Sequence, residues 1–184
     1  ANFADVCKIV GRAIRVLRMT STPPHWAVLP LPAVAEINPR RLDHEPTLDQ
    51  WVSFVPMAAA EEESGRLDGA QQRRWSDVRK GYTRFQEGDV LMAKITPCME
   101  NGKIAVARGL VGGIGAGSTE FHVVRVDRQS VKVDWVLHFL LQQVVRRAAK
   151  RTMSGAVGQQ RVGAAFLEEL RLPVPPLPEQ HRIV

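Results

Sequence analysis

Three short polar segments carry the side chains best suited to reading a nucleobase edge. Lys94, Thr96, Glu100, Asn101 and Lys103 lie close together, Ser118, Thr119 and Glu120 follow a glycine run, and Gln159, Gln160 and Arg161 occupy a glycine-bearing loop. In the major groove Arg and Lys donate to guanine, Asn and Gln pair with adenine, and Glu accepts from cytosine, so this set can specify a sequence. Each segment also has a purely structural reading. Pro97 and Gly102 can shape a hairpin, Glu120 can pair with Arg125, and Gln159 can cap the next helix.

A second set of residues can hold phosphate, which needs only exposed cations and fixes register instead of sequence. It comprises Arg146, Arg147, Lys150 and Arg151 at the end of a predicted helix, and Arg79, Lys80 and Arg84 further upstream. At a helix C-terminus, positive charge is also favoured by the helix dipole with no ligand present.

Signatures of catalysis are not met. Gly112-Gly113-Ile114-Gly115-Ala116-Gly117 resembles a dinucleotide loop, but Ser118 stands where a further glycine is needed and a strand is predicted to follow, so the stretch is expected to be a turn between strands. Gly102-Lys103 lacks the partner glycine of a phosphate-binding loop, since Pro97 stands there. There is no G-x-S-x-G elbow, Asn38-Pro39 continues with Arg40 where adenine methyltransferases carry further Pro and aromatic residues, and Glu100 and Lys103 are too far apart for the acid-x-lysine pair of metal-dependent nucleases. The expectation is a chain with no catalytic site. Histidines 25, 44, 122, 138 and 181 show no metal-ligand spacing, and His122, inside the strand-like EFHVVRV, is expected to be a hydrogen-bonded structural residue.

The elements that would position these residues follow from composition and pattern. A chain of 184 residues, 45% hydrophobic, can bury one sizeable core, and its net charge of +6 favours a polyanionic partner. The most apolar stretch, Trp135 to Val145, ends at Arg146 and is too short to span a bilayer. Cys7 and Cys98 are far apart and read as free thiols, which with the absence of a membrane segment points to the cytoplasm. Residues 1–22 predict a basic amphipathic helix and linker, with Phe3, Val6, Val10, Ala13, Ile14 and Leu17 on one face.

From His25 onward, short apolar runs between Pro and Gly predict strands at Val52 to Pro56, Val90 to Thr96, Lys103 to Ala107, Glu120 to Val126 and Leu170 to Val174. One main helix is predicted from Asp134, as its cap, to Arg151, with Leu137, Leu140, Leu141, Val144 and Ala148 as its apolar face. Glu61 to Arg84 is expected to be mostly solvated loop. Pro173, Pro175, Pro176 and Pro178 stiffen the last segment, and Pro178-Glu179-Gln180 reads as the first turn of another helix. The fold class expected is α+β: a β-rich body over residues 23–176 with one main helix and a flanking N-terminal helix, leading into a truncated long helix at 177–184.

GDVLMAKITPCMENGKIAVA from Gly88, GSTEFHVVRV from Gly117, MSGAVGQQRV from Met153 and LPVPPLPEQHRIV from Leu172 occur in an order and spacing that resembles the target-recognition domain of type I restriction-modification specificity subunits. HWAVLPLPAVAEINPR from His25, VSFVPM and KGYTRFQEGD extend the likeness over residues 23 to 184. The resemblance implies sequence-specific recognition of double-stranded DNA by a non-catalytic subunit. It also implies two recognition domains separated by long spacer helices, the second being supplied in cis or by homodimerisation. Adenine methylation and cleavage would belong to partner modification and restriction subunits, with S-adenosylmethionine, ATP and magnesium bound there and no cofactor in this chain. Two other readings stay open at this point: the recognition domain of a fused methyltransferase-nuclease, and a protein-interaction module using the basic helix at residues 8–18.

Overall fold

The structure, a computed structural model, describes residues 23–184. The predicted helix over residues 1–20, Cys7 and the start of the linker at Ser21 lie outside the described residues. Among the described residues ten strands form three sheets, and the alternation of side chains along the strands explains how the sheets stack.

β9 (Phe121–Val126) is the organising strand, with β2 (Ala35–Ile37) on one side and β6 (Val90–Ala93) and then β7 (Ile104–Val106) on the other, all antiparallel. Val124 and Val126 of β9, with Val90 and Met92 of β6, face a core closed by helices. Phe121 and Val123, with Leu91, face the opposite way onto a second sheet. β6 is buried along its whole length, which is why it reads as the continuous apolar run VLMA with no polar alternation.

The second sheet has the order β4 (Gln71–Arg74), β3 (Trp51–Val55), β8 (Ile114–Gly117) and β5 (Thr83–Gln86), with β3 and β8 parallel. Val55 and Phe85 point toward β9, whereas Val52, Phe54, Ile114 and Ala116 pack on the other side against Trp75 and Val78 of α1 (Trp75–Val78). The result is a stack of helices, first sheet, second sheet and α1. A third, two-stranded sheet pairs β1 (Ala27–Pro30) with β10 (Arg171–Val174).

The predicted main helix is two helices, α2 (Val133–Leu141) and α3 (Gln143–Thr152), separated at Gln142, whose ψ of 133° is extended. The break shifts the apolar face by one residue: Val145 becomes fully buried with Ala148 and Ala149, and Val144 is left 44% exposed. Asp134 is not the cap; Lys132 holds that position, and Asp134 sits in the first turn, where both carboxylate oxygens accept from Arg108 at 2.7 Å.

Other expectations need correction. Glu61 to Arg84 is mostly exposed, as expected of a solvated segment, but it also contains β4, α1 and the start of β5, and Trp75 anchors it at 1% exposure. The glycine run is a turn only at Gly112 and Gly113; Ile114–Gly117 is itself a central strand. Gly117 is required there because a Cβ would stand 2.2 Å from the Val55 carbonyl oxygen. Ser118, Thr119 and Glu120 do not begin β9 but form the turn before it. The strands expected at Val90 to Thr96 and Lys103 to Ala107 are each trimmed, to Ala93 and to Ile104–Val106.

The proline-rich end is a brace, as its composition suggests. α4 (Ala164–Glu169) leads into β10, and α5 (Leu177–Ile183) follows directly. Gln180 is completely buried; its Oε1 accepts from Lys132 N–H at 2.7 Å and its Nε2 donates to the Pro175 carbonyl at 2.8 Å. Glu179 accepts from His25 and from the Trp26 indole, and these donors hold its carboxyl below the usual range. The Trp26 ring in turn sits edge-on to Trp135.

Candidate nucleic-acid interface

The loop after β6 is a tight structure of its own. Met99, fully buried, anchors it to the helical core, and its backbone closes through Met99 N–H to Ile95 O, Asn101 N–H to Pro97 O and Lys103 N–H to Cys98 O. Gly102 adopts a left-handed φ of 73°, and a Cβ there would stand 3.0 Å from both Glu63 and Arg146, so glycine serves the turn and the close approach together. Thr96 Oγ1 donates to Glu100 Oε1 at 2.8 Å. Asn101 Nδ2 donates to Glu62 Oε1 at 2.9 Å, and Lys103 Nζ donates to the Ala60 carbonyl. The acidic segment 61–63 is thereby stitched onto the loop, and Glu62 and Glu63 support it in a way that a run of charges gives no reason to expect.

The other two segments lock onto this loop through their backbones. Lys94 N–H donates to Glu120 O, Val162 N–H donates to Lys94 O, and Thr96 N–H donates to Gln160 O. Three stretches distant in sequence thus meet at the end of the first sheet where β6 stops and β9 starts. Arg161 closes the meeting point, donating from Nε and Nη2 to both Glu120 oxygens at 2.8 to 3.1 Å. This fork holds the Glu120 carboxyl below its usual range, chiefly by the hydrogen bond itself. Glu120 therefore pairs with Arg161, and Arg125, the partner its structural reading allowed, pairs instead with buried Asp89.

His122 is the hydrogen-bonded structural residue that its strand position suggests. It is 5% exposed, its Nε2–H donates to the Val162 carbonyl at 2.9 Å, and its Nδ1 accepts from Asn38 Nδ2 at 3.1 Å. Burial pushes its imidazole below the usual range, so the ring is neutral at pH 7. Asn38, with a left-handed φ of 52°, also accepts from Val123 N–H. Asn-Pro is a turn signal, and the role of Asn38 was legible only to that extent.

The cations divide. Arg147, Lys150 and Arg151 lie on the exposed side of α3, and Lys150 Nζ is 3.9 Å from Glu100 Oε1, beside the Thr96 to Lys103 loop. Arg146 is not on that side: its side chain is 10% exposed and donates to the Glu100 and Leu141 carbonyls and to Glu63. It is a strut for the loop. Arg84 donates to Arg40 O and Glu45, and its neighbour Thr83 pairs with Gly117 at the start of the Ser118 to Glu120 turn. Arg79 and Lys80 are exposed after α1, and no hydrogen bond or ion pair among the described residues ties them to the three loops. Thr119, Asn101 and Gln159 are exposed, and Gln160 is half-buried.

Residues 23–184 match the family described as type I restriction modification DNA specificity domain. Over 166 residues the chain is 40% identical to the type I restriction enzyme EcoEI specificity subunit of Escherichia coli, and over 165 residues 39% identical to the EcoAI specificity subunit of the same organism. Both matches cover 88% of this chain but only 27% of the relative. Among solved structures, the HsdS subunit from Thermoanaerobacter tengcongensis superposes with a TM-score of 0.68 at 21% identity, covering 89% of this chain and 41% of that one. A chain from a structure concerned with complex assembly and conformational transition of the type I R-M system gives a TM-score of 0.67, also at 21% identity and over 89% of this chain and 41% of that one. These two likenesses establish the shared fold, and the family match over residues 23–184 establishes descent: the chain belongs to the type I restriction modification DNA specificity domain family.

Proposed function

We propose that this chain reads one half of a split double-stranded DNA sequence as part of a type I restriction-modification specificity subunit. The observation that carries the reading is the convergence of the 94–103, 118–120 and 159–161 segments at one end of the fold, with Asn101, Thr119 and Gln159 exposed there. Asn101, Thr119, Gln159 and Gln160 read base edges, and Arg147, Lys150 and Arg151 hold phosphates alongside them. Residues 23–176 form the recognition domain, and residues 177–184 open the spacer helix. The chain works in the cytoplasm. Methylation, ATP-driven translocation and cleavage belong to partner modification and restriction subunits, and a second recognition domain, in cis or from a second copy, reads the other half-site.

The test is duplex binding by the protein assembled with its partner subunits, titrated with salt against cognate and scrambled sequences. Asn101→Ala is expected to cost about 1 to 3 kcal/mol on the cognate duplex and to relax discrimination at one base pair. Arg147→Gln is expected to weaken both duplexes alike and to lower the slope of log affinity against log salt by about 0.9. Loss of discrimination in the arginine variant, with full discrimination in the asparagine variant, would overturn the assignment of the two faces.

A further inference from the structure

A cleft of about 490 Å³ opens beside the three loops, at the seam between the two larger sheets. Asn38, Pro39 and Arg40 line it from the turn after β2, Thr83 and Arg84 from β5, Lys94 from the end of β6, and Phe121 to Val123 from β9. Three cations therefore come to one cavity from three separate elements. The carboxylates nearby are already engaged. Glu120 accepts the fork of Arg161, and Glu45 is 59% exposed at the outer side of Arg84, 3.3 Å away. Lys94 and Arg40 make no ion pair among the described residues.

The hydrogen-bonding character of the cleft decides between a base and a phosphate. An adenine or cytosine edge carries a donor that needs an acceptor in return, and a guanine edge offers only neutral acceptors, so a cluster of cations short of free acceptors is better matched to a charged phosphate. Here the amide and imidazole acceptors of the lining are turned inward: Asn38 Oδ1 accepts from Val123 N–H, and His122 Nδ1 accepts from Asn38 Nδ2. Lys94, Arg40 and the remaining guanidinium N–H groups of Arg84 are left to donate, and the Thr83 hydroxyl can donate beside them as well as accept, a predominantly donor set matched to anionic oxygens. The main chain of Lys94 is held on both sides, by Glu120 O and by Val162 N–H, so the point from which its side chain reaches into the cleft is set by backbone.

We propose that this cleft seats a single backbone phosphate of the bound DNA, with Lys94 and Arg40 as its two free clamps and Arg84 fixed at its rim. Lys94 then acts on the strand and not on a base edge, and it sets how deeply the three loops enter the groove. The proposal rests on the DNA-recognition reading above.

The experiment is salt-dependent duplex binding, in the assembled complex, by Lys94→Gln, Arg40→Gln, the double variant and Lys94→Arg, with duplexes carrying one neutral methylphosphonate linkage moved stepwise along each strand. Each single Gln variant weakens cognate and scrambled duplexes by the same factor. The double variant lowers the salt slope by about 0.9 in total, not twice that, because both cations serve one phosphate. One methylphosphonate position weakens the wild type and leaves the double variant unaffected, and Lys94→Arg retains the wild-type slope. A slope change of about two phosphates, or loss of discrimination at one base pair in Lys94→Gln, would overturn the proposal. So would unchanged binding by all the cleft variants in a protein that still separates cognate from scrambled DNA. If the wild type separates no sequences at any salt concentration, the DNA reading itself fails, and this site with it.

Discussion

Replacing His122 with alanine should loosen the link between β9 and the 159–161 loop, and its cost can be worked from the contacts. The substitution leaves the buried Val162 carbonyl without its donor, which costs about 1 to 3 kcal/mol, and empties ring volume in a site that is 5% exposed. Partial collapse around the hole brings the sum to about 2 to 4 kcal/mol above pH 7. Acid should narrow the gap. Burial is the largest influence on the His122 ring and lowers its pKa, the Val162 carbonyl opposes it, Lys94 lowers it further, and Glu120 and Glu168 raise it. The folded pKa therefore lies below that of the unfolded chain. The stability this neutral ring contributes is complete above the ordinary histidine pKa of about 6.5 and is lost as pH falls through the folded value. Urea unfolding of wild type and His122→Ala, at about pH 7.5 and about pH 5, measures both effects. Equal stabilities at the higher pH, or a difference that widens on acidification, would refute the reasoning. In the assembled complex the same variant should also discriminate less between duplexes.

Asp89→Ala should be the most damaging of the charge removals, at about 3 to 5 kcal/mol, since it leaves Arg125 unpaired beside a carboxylate site that is 2% exposed; chemical denaturation reads it directly. Gly117→Ala forces a methyl against the Val55 carbonyl and should cost about 1 to 3 kcal/mol, with a lower thermal midpoint and no specific effect on salt dependence. Glu120→Gln keeps the shape of the Arg161 clamp but removes its charge. Discrimination should fall with little change in the thermal midpoint, and a variant that reads DNA as well as the wild type would show that Arg161 needs no anchor.

The legible part of the fold was whatever a local pattern could encode. EFHVVRV announces β9 because its two faces enter different cores, and VLMA announces β6 because both of its faces are buried. β4, β5 and β8 were hidden because QQRR, TRFQ and IGAG have no apolar alternation; each is a strand because of its neighbour, not its composition. The break at Gln142 has no Pro or Gly to mark it and follows from where Val145 and Arg146 must point. At the site, polar residue types between glycines marked the three loops. That Arg146 braces a loop and Glu120 clamps Arg161 depends on pairings across 46 and 41 positions, which no local window contains.

The way the three loops hold one another bears on how such a domain changes over generations. Their mutual ties run mainly from amide to carbonyl, through Lys94 to Glu120, Thr96 to Gln160 and Val162 to Lys94. A peptide group donates and accepts whatever side chain it carries, proline excepted. Exposed positions such as 119 and 159, whose side chains make no hydrogen bond to the frame, can therefore be exchanged for other residues at about half a kcal/mol or less each. Side chains on the loop surface can thus change by single steps, each of which still folds, while the peptide frame beneath them needs no change.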